Sequence, residues 1–196
     1  MEIKRFINSV FESNTFVIHE CGEAVIVDIG DPAPVIDFID ANGLNPEALF
    51  ITHTHYDHIY GVRELMRRYP EIPVYTSMEG KMAFAKTNWN FSRYHDDPIE
   101  IKSDRIIELH DGDRIEIMDG TEVEVIATPG HDFSCLTYRM EDKLFTGDSF
   151  IPGVKVVATF IKSDKRLAKE WYERLEKMSA EYDIYPGHKE IQFRGI

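Results

Sequence analysis

Cysteine is scarce in this sequence: Cys21 and Cys135 are the only two among 196 residues. Two cysteines are too few for the disulfide framework that small secreted domains use in place of a large core. Long hydrophobic runs are also missing, since none approaches the ~20 apolar residues of a membrane-spanning helix, and Met1 to Arg5 lack the apolar region of a signal peptide. We therefore expect a cytoplasmic protein without membrane contact.

Positive charge is in short supply as well. Lys and Arg number 22 against 35 for Asp and Glu, which gives a formal net charge of -13. Such a chain repels phosphate backbones, so nucleic acid is disfavoured and a small molecule is the expected partner. The composition, with 43% hydrophobic and 29% charged residues, is typical of a globular protein. The length predicts a single domain over residues 1–196.

The first half of the chain alternates strand and helix patterns. The apolar runs Ala24 to Asp28, Leu49 to Ile51 and Val74 to Thr76 predict buried strands. They follow two predicted strand segments, at 3–11 and 15–18, that are separated by a turn at Ser13-Asn14. Helical spacing of apolar residues predicts helices over 35–41, 62–69 and 78–86.

Hairpin patterns dominate the second half. Asp111-Gly112 and Asp119-Gly120 each stand between alternating segments and predict hairpin turns, and Glu141-Asp142 separates a further strand pair. A last helix is predicted to begin at an N-cap residue, Ser163. These patterns predict two packed sheets with helices on the outside.

The densest set of metal-ligating residue types follows the apolar strand at Leu49 to Ile51. It consists of His53, His55, Asp57 and His58. On an extended strand end, side chains two residues apart point the same way, so His53 and His55 can share one metal. Asp57 and His58 come after the chain turns and can face a second metal.

Three more candidates lie downstream, each in a glycine-containing turn after an apolar strand: His131, Asp148 and His188. With the first four they predict a two-metal centre for divalent ions, zinc in the first place and iron or manganese as alternatives. The remaining histidines, His19, His95 and His110, have no partner pattern and are interpreted as structural or surface residues, with His95 as an exception because it lies in an aromatic stretch.

This set resembles the motifs of the metallo-β-lactamase superfamily, and of its glyoxalase II-like hydrolases most of all, from the Asp28 strand to His188. The resemblance implies an α/β fold, a four-layer αβ/βα sandwich of two mixed sheets flanked by helices. Asp28 matches an aspartate that supports the metal loops. Dedicated β-lactamases lack an aspartate at the bridging position, so lactamase activity is not implied. The implied ligands are His53, His55 and His131 for site one, Asp57, His58 and His188 for site two, and Asp148 as the bridge.

Two metals about 3.5–4 Å apart lower the pKa of a shared water toward ~7. We therefore expect a hydrolase in which hydroxide attacks a small thioester, ester or lactone, with Asp57 as general base. A mononuclear iron sulfur-dioxygenase is an alternative that the complete second site disfavours. A phosphodiesterase is another, disfavoured by the net charge, and a non-catalytic metal module is the third.

The sequence departs from the glyoxalase II pattern in two places. Asp148 is followed by Ser149 to Lys155 instead of a glycine-rich basic stretch, and eight residues follow His188 where those enzymes add a helical region, so glutathione thioesters are not expected. Asp132 and Ser134 stand where the family often has threonine and glycine.

Residues 87–98 fit neither period and form an aromatic loop. Trp89 and Tyr94, with Phe91, are predicted to form a wall over the metals, and packing against the sheet is the alternative. Lys155 is predicted to meet an anionic group of the substrate, with plain solvent exposure as the alternative. Cys135 is interpreted as a core residue and not a nucleophile.

Overall fold

The computed structural model describes residues 1–118 and 120–195, and these form two mixed β-sheets. In both sheets the order of strands across the sheet is the order along the chain. The first sheet contains β1 (Glu2–Ile7), β2 (Asn14–Glu20), β3 (Glu23–Val27), β4 (Asn45–Phe50), β5 (Val74–Ser77) and β6 (Ile106–Leu109). The second contains β7 (Arg114–Ile117), β8 (Thr121–Ala127), β9 (Leu136–Met140), β10 (Lys143–Gly147) and β11 (Asp183–Pro186).

Helices cover the outer faces of the two sheets. They are α1 (Pro32–Ala41), α2 (Tyr56–Ile59), α3 (Val62–Arg68), α4 (Met78–Phe84) and α5 (Lys165–Met178), and a 3₁₀ turn covers Ser92–Tyr94. Among the described residues, none of these helices is long and apolar enough to cross a bilayer.

The side-chain alternation of the strands produces the layers. In β3, Ala24 and Ile26 pack into the cluster that contains the buried faces of α1 and α3. Val25 and Val27 point the other way, into the core between the sheets. On the far side of the second sheet, Leu144 packs with Leu175 of α5. The predicted four-layer sandwich of two mixed sheets flanked by helices is confirmed.

Strand direction decides where the candidate ligands emerge. In the first sheet β3 and β4 are parallel, so their carboxyl ends lie at one edge. In the second sheet β9 is antiparallel to both β8 and β10, and β10 is parallel to β11. The segments after β8, β10 and β11 therefore also leave from a common edge.

One predicted hairpin is wrong. The segments on either side of Asp111-Gly112 do not pair with each other, because β6 pairs in parallel with β5 while β7 pairs with β8 in the other sheet. The turn hydrogen-bonds to β8 instead, with Gly112 N donating to Val125 O at 2.8 Å. The chain crosses between sheets here. The other two predicted pairs, β7 with β8 and β9 with β10, are confirmed, although Asp119 itself lies outside the described residues.

Two local predictions are also corrected. The first strand ends at Ile7, and the segment at Val10 and Phe11 is a turn in which Phe11 has a left-handed φ of 54°. The N-cap of α5 is Asp164, whose carboxylate accepts from the N–H of Leu167 at 2.9 Å. Ser163 instead donates its hydroxyl to the carbonyl of His131 at 2.5 Å.

Tyr138→Phe tests how the two sheets are joined beneath the site. The buried Tyr138 hydroxyl donates to Ile51 O across the core at 2.7 Å. Removing it leaves a buried carbonyl without its partner, so the free energy of unfolding should fall by about 1–3 kcal/mol. Tyr94→Phe, at a residue 74% exposed, is the control and should change it by less than about 0.5 kcal/mol. Equal effects in urea unfolding would contradict this role.

Candidate metal centre

The seven predicted ligands follow strand ends that open toward one another. His53 and His55 follow β4, and the short helix α2 then carries Asp57 and His58. The other three come from the second sheet: His131 after β8, Asp148 after β10 and His188 after β11. The parallel directions of these strands explain why residues distant in sequence meet.

Their donor atoms form three overlapping groups, each with its atoms within 4.8 Å of one another. His53, His55 and His131 form the first group, and Asp57, His58 and His188 form the second. The structure thus brings together the members of each predicted metal site. A third group joins one histidine from each of these sites to an aspartate: His53, His58 and Asp148.

Asp148 lies between the two groups. Its Oδ2 is 3.5 Å from His131 Nε2 in the first group, and its Oδ1 is 3.6 Å from His58 Nε2 and 3.5 Å from His188 Nε2 in the second. One oxygen faces each side, which is the placement expected of a bridging carboxylate.

Unpaired polar atoms show that this cluster fits divalent cations. Within the described chain, His53 Nε2, His58 Nε2 and Asp148 Oδ1 are buried and have no hydrogen-bond partner. Burying such atoms without partners is costly, and metal coordination is the arrangement that satisfies imidazole and carboxylate donors together.

Acceptors behind the histidines orient four of the five rings. In each of these four rings Nδ1 points away from the cluster and lies close to an oxygen atom. His53 Nδ1 is 3.2 Å from Thr52 Oγ1, and His58 Nδ1 is 2.9 Å from Asp28 Oδ2. His131 Nδ1 is 2.7 Å from Val157 O, and His188 Nδ1 is 3.0 Å from Phe11 O. A proton held at Nδ1 leaves the Nε2 lone pair free for a metal.

Asp28 supports the metal loops, as predicted. Its Oδ1 accepts from Thr52 N and its Oδ2 from Thr52 Oγ1, both at 2.7 Å, and Oδ2 also meets His58. One carboxylate thus links the loop that carries His53 to α2. Its backbone has a left-handed φ of 55°, which turns the chain away from β3.

The two groups differ in electrostatics. Burial, followed by the neighbouring imidazoles, lowers the pKa of His53 far below its usual value. Burial also lowers the pKa of His131, against the opposing effect of Asp148. In the second group burial acts in the same direction, but Asp57 and Asp28 outweigh it and raise the pKa of His58. Hydrogen bonding to Asp57 and the charge of Asp148 likewise raise the pKa of His188.

Acidification is therefore expected to release metal from the second group before the first. Protons compete with metal for neutral imidazole. As pH falls, His58 and His188 become protonated at a higher pH than His53 and His131 do. Metal content measured against a chelator buffer between about pH 8 and 5 should step from two equivalents to one. His188→Ala should remove the acid-sensitive equivalent, and simultaneous loss of both would contradict the assignment.

An aromatic pair covers the first group. The rings of Phe91 and Phe160 each lie 4.9 Å from the His55 ring, and 5.2 Å from each other. Phe91 belongs to the predicted aromatic wall, whereas sequence reasoning missed Phe160, because it lies in an aperiodic stretch without a motif. The carbonyl contacts of Phe11 and Val157 were missed for the same reason.

The three predicted substrate residues have different surroundings. Trp89 lies between the ammonium groups of Lys86 and Lys162, each 3.5 Å from its ring centroid. Tyr94 is 74% exposed, beside the Arg93 guanidinium. Lys155 shares the wall of a cavity of about 40 Å³ with His131 and Asp148. Their contact with a substrate stays a prediction.

The remaining histidines and Cys135 occupy structural or surface positions. His95 stacks on Tyr56 with centroids 3.6 Å apart, His19 packs edge-on against Phe38, and His110 lies at the surface. Cys135 is buried, and burial raises the pKa of its thiol, which agrees with the core interpretation.

Two helix-flanked mixed sheets with a histidine and aspartate cluster at their strand ends define a metal-binding αβ/βα protein. The chain belongs to the metallo-beta-lactamase superfamily, whose sequence model matches residues 8–188. The predicted family is confirmed. Its members are generally metal-dependent hydrolases, and the closer resemblance to glyoxalase II stays a prediction.

Solved structures share this fold over nearly the whole chain. The BLEG-1 B3 metallo-beta-lactamase aligns with a TM-score of 0.84 and 24% identity, covering 97% of this chain and 93% of that one. TTHA1623 in a di-iron-bound form gives 0.83 and 21%, covering 97% and 94%. ETHE1 from Myxococcus xanthus gives 0.73 and 22%, covering 97% and 76%. At these identities the likeness shows the fold alone.

Proposed function

We propose that this protein is a binuclear metal-dependent hydrolase of a small thioester, ester or lactone. The observation that carries the proposal is the position of Asp148, with one carboxylate oxygen toward each group of ligands. Two donor groups on either side of a shared carboxylate would suit two divalent cations. Membership of a superfamily of generally metal-dependent hydrolases supports the same conclusion.

The cofactor we propose is a pair of divalent cations, with zinc in the first place. The nitrogen and oxygen donor set also accepts iron or manganese, and TTHA1623 has been solved in a di-iron-bound form. When bound, two such ions lower the pKa of a shared water and polarise the substrate oxygen.

Asp57 supplies the proton chemistry of the protein itself. Although its burial acts in the opposite direction, His58 and His188 lower the pKa of this carboxyl, so it is ionised at neutral pH. Its Oδ2 lies 3.3 Å from His58 Nε2 and 3.2 Å from His188 Nε2, inside the second group. An ionised acceptor at this point orients an attacking water and takes its proton in the transition state.

The surroundings of the cluster suit a small organic substrate. Phe91 and Phe160 restrict water access beside His55 and offer aromatic contact to an acyl or ring group. Lys155, an exposed residue that lines a small cavity together with His131 and Asp148, is our candidate for binding a negatively charged substituent. The net charge of -13 disfavours a nucleic-acid substrate.

Both described cysteines are free, which supports a reducing, cytoplasmic compartment.

A substrate panel tests the proposal. Purified protein loaded in turn with zinc, iron and manganese would be assayed on thioesters, esters, lactones and phosphodiesters, beside elemental analysis of bound metal. We expect two equivalents of metal and turnover of a carboxylic ester, thioester or lactone. One iron with oxygen consumption on a persulfide, turnover of phosphodiesters alone, or no hydrolysis at all would contradict it.

A further inference from the structure

The residue after His131 is a buried acid that has only half of its carboxylate satisfied. Asp132 is 4% exposed. Its Oδ1 accepts from Ser134 N at 2.8 Å and from Ser134 Oγ at 2.6 Å. Its Oδ2 is buried and, within the described chain, has no hydrogen-bond partner. A buried carboxylate oxygen without a donor is costly, so the position calls for one.

The donor it faces is His55. Asp132 Oδ2 lies 3.6 Å from His55 Nε2, an atom that is likewise buried and without a partner in the described residues. The other nitrogen of this ring, Nδ1, lies 3.0 Å from His131 Nε2, inside the first group. The remaining sides of the ring meet Phe91 and Phe160, which offer no comparable acceptor. A shift of a few tenths of an ångström would join the two unpaired atoms in a hydrogen bond.

We propose that Asp132 is a positioning residue for the first metal site: it accepts the Nε2 proton of His55 and so keeps the Nδ1 lone pair free for the metal. A neutral imidazole carries one proton, and a proton on Nδ1 would block this ligand. This inference rests on the metal centre of the proposed function.

The neighbouring contacts hold Asp132 in this position. Ser134, which caps Oδ1, also meets Thr54 N at 3.3 Å, and Thr54 lies between His53 and His55. The two ligand loops of the first site are thus linked through Asp132 and Ser134. The pair repeats the arrangement of Asp28 behind His58, so each site has one histidine supported by a carboxylate.

Two substitutions at Asp132 separate positioning from packing. In Asp132→Asn the N–H of Ser134 keeps the amide oxygen on its own side, which turns the NH₂ toward His55 Nε2. Two donors then face each other, and relief requires the imidazole proton to move to Nδ1. Asp132→Ala removes the acceptor but leaves either tautomer possible. The affinity for the first Zn²⁺ equivalent, measured by competition with a chromogenic chelator, should fall about 10–100-fold in Asp132→Asn and less in Asp132→Ala.

A packing role predicts the reverse order, because asparagine conserves the shape of aspartate and alanine leaves a void. Wild-type zinc affinity in Asp132→Asn, or a larger loss in Asp132→Ala, would overturn the proposal. Asp142→Asn, in the turn between β9 and β10, is the control and should bind zinc as the wild type does.

The tautomer can also be read directly in the unmodified protein. In the ¹⁵N-labelled, metal-free form, where no metal fixes the tautomer, the ring ¹⁵N shifts and two-bond couplings of neutral His55 should show a proton on Nε2 and none on Nδ1; the opposite result would overturn the proposal even if the variants fail to fold. Neither measurement uses a substrate. A protein that binds zinc as expected but hydrolyses nothing would contradict the proposed function alone.

Discussion

Replacing Asp57 with alanine is expected to lower kcat for the hydrolysed substrate by about 10²–10⁴-fold while the fold is kept. The Asp57 carboxylate lies 3.3 Å from His58 Nε2 and 3.2 Å from His188 Nε2. Its loss would remove a metal-ligating oxygen of the second group and the group that we propose orients the attacking water. His55→Ala should abolish turnover through the first group. Rates on a substrate from the panel, with circular dichroism to monitor folding, check both variants.

Asp37→Ala is a suitable control for these measurements, since Asp37 lies at the exposed surface of α1 and should leave kcat unchanged. Activity of Asp57→Ala within about tenfold of the wild type would remove Asp57 from the mechanism. Loss of activity with both metals retained would assign it to catalysis. Loss together with one metal equivalent would assign it to coordination.

The candidate ligands of the second sheet could be predicted because each lies in a turn that follows an apolar strand. The carboxyl ends of parallel strands meet at one edge of a sheet, so sequence position translates into spatial proximity for His131, Asp148 and His188. The continuous apolar run of β3 similarly predicts a strand that is buried on both faces. Both inferences rest on short-range geometry that a strand imposes wherever it lies.

Strand pairings and side-chain contacts that depend on tertiary packing could not be predicted from the sequence. Asp111-Gly112 has a hairpin composition, but the strands on either side of it pair elsewhere: β6 pairs with β5, and β7 pairs with β8. Tertiary packing decides these partners, and local turn preference does not encode it. Phe160 reaches His55 from an irregular segment with no period. Asp132 was visible only as a departure from the family pattern, and its proximity to His55 depends on how two loops from different sheets meet.

Adding a single methyl group at Gly187 is expected to disrupt the second group. A Cβ there would lie 2.3 Å from Asp148 Oδ1 and 2.9 Å from both His58 Cε1 and the Gly147 carbonyl carbon. The backbone cannot easily yield, because Gly187 N donates to Gly147 O and Gly187 O accepts from Asn14 N. The carboxylate and the imidazole must therefore move, and Gly187→Ala should weaken binding of the second metal equivalent by about tenfold or more.

Gly22→Ala separates this effect from general strain. Gly22 has φ +88°. Apart from its chain neighbours, no atom of the described residues lies within 4 Å of the position that a methyl group would take, so alanine there strains the backbone without approaching the ligands. It should lower the free energy of unfolding by about 1–2 kcal/mol and leave both metal equivalents bound. Binding of two metal equivalents to Gly187→Ala at wild-type affinity would contradict the prediction that the second site requires a glycine next to Asp148 and His58.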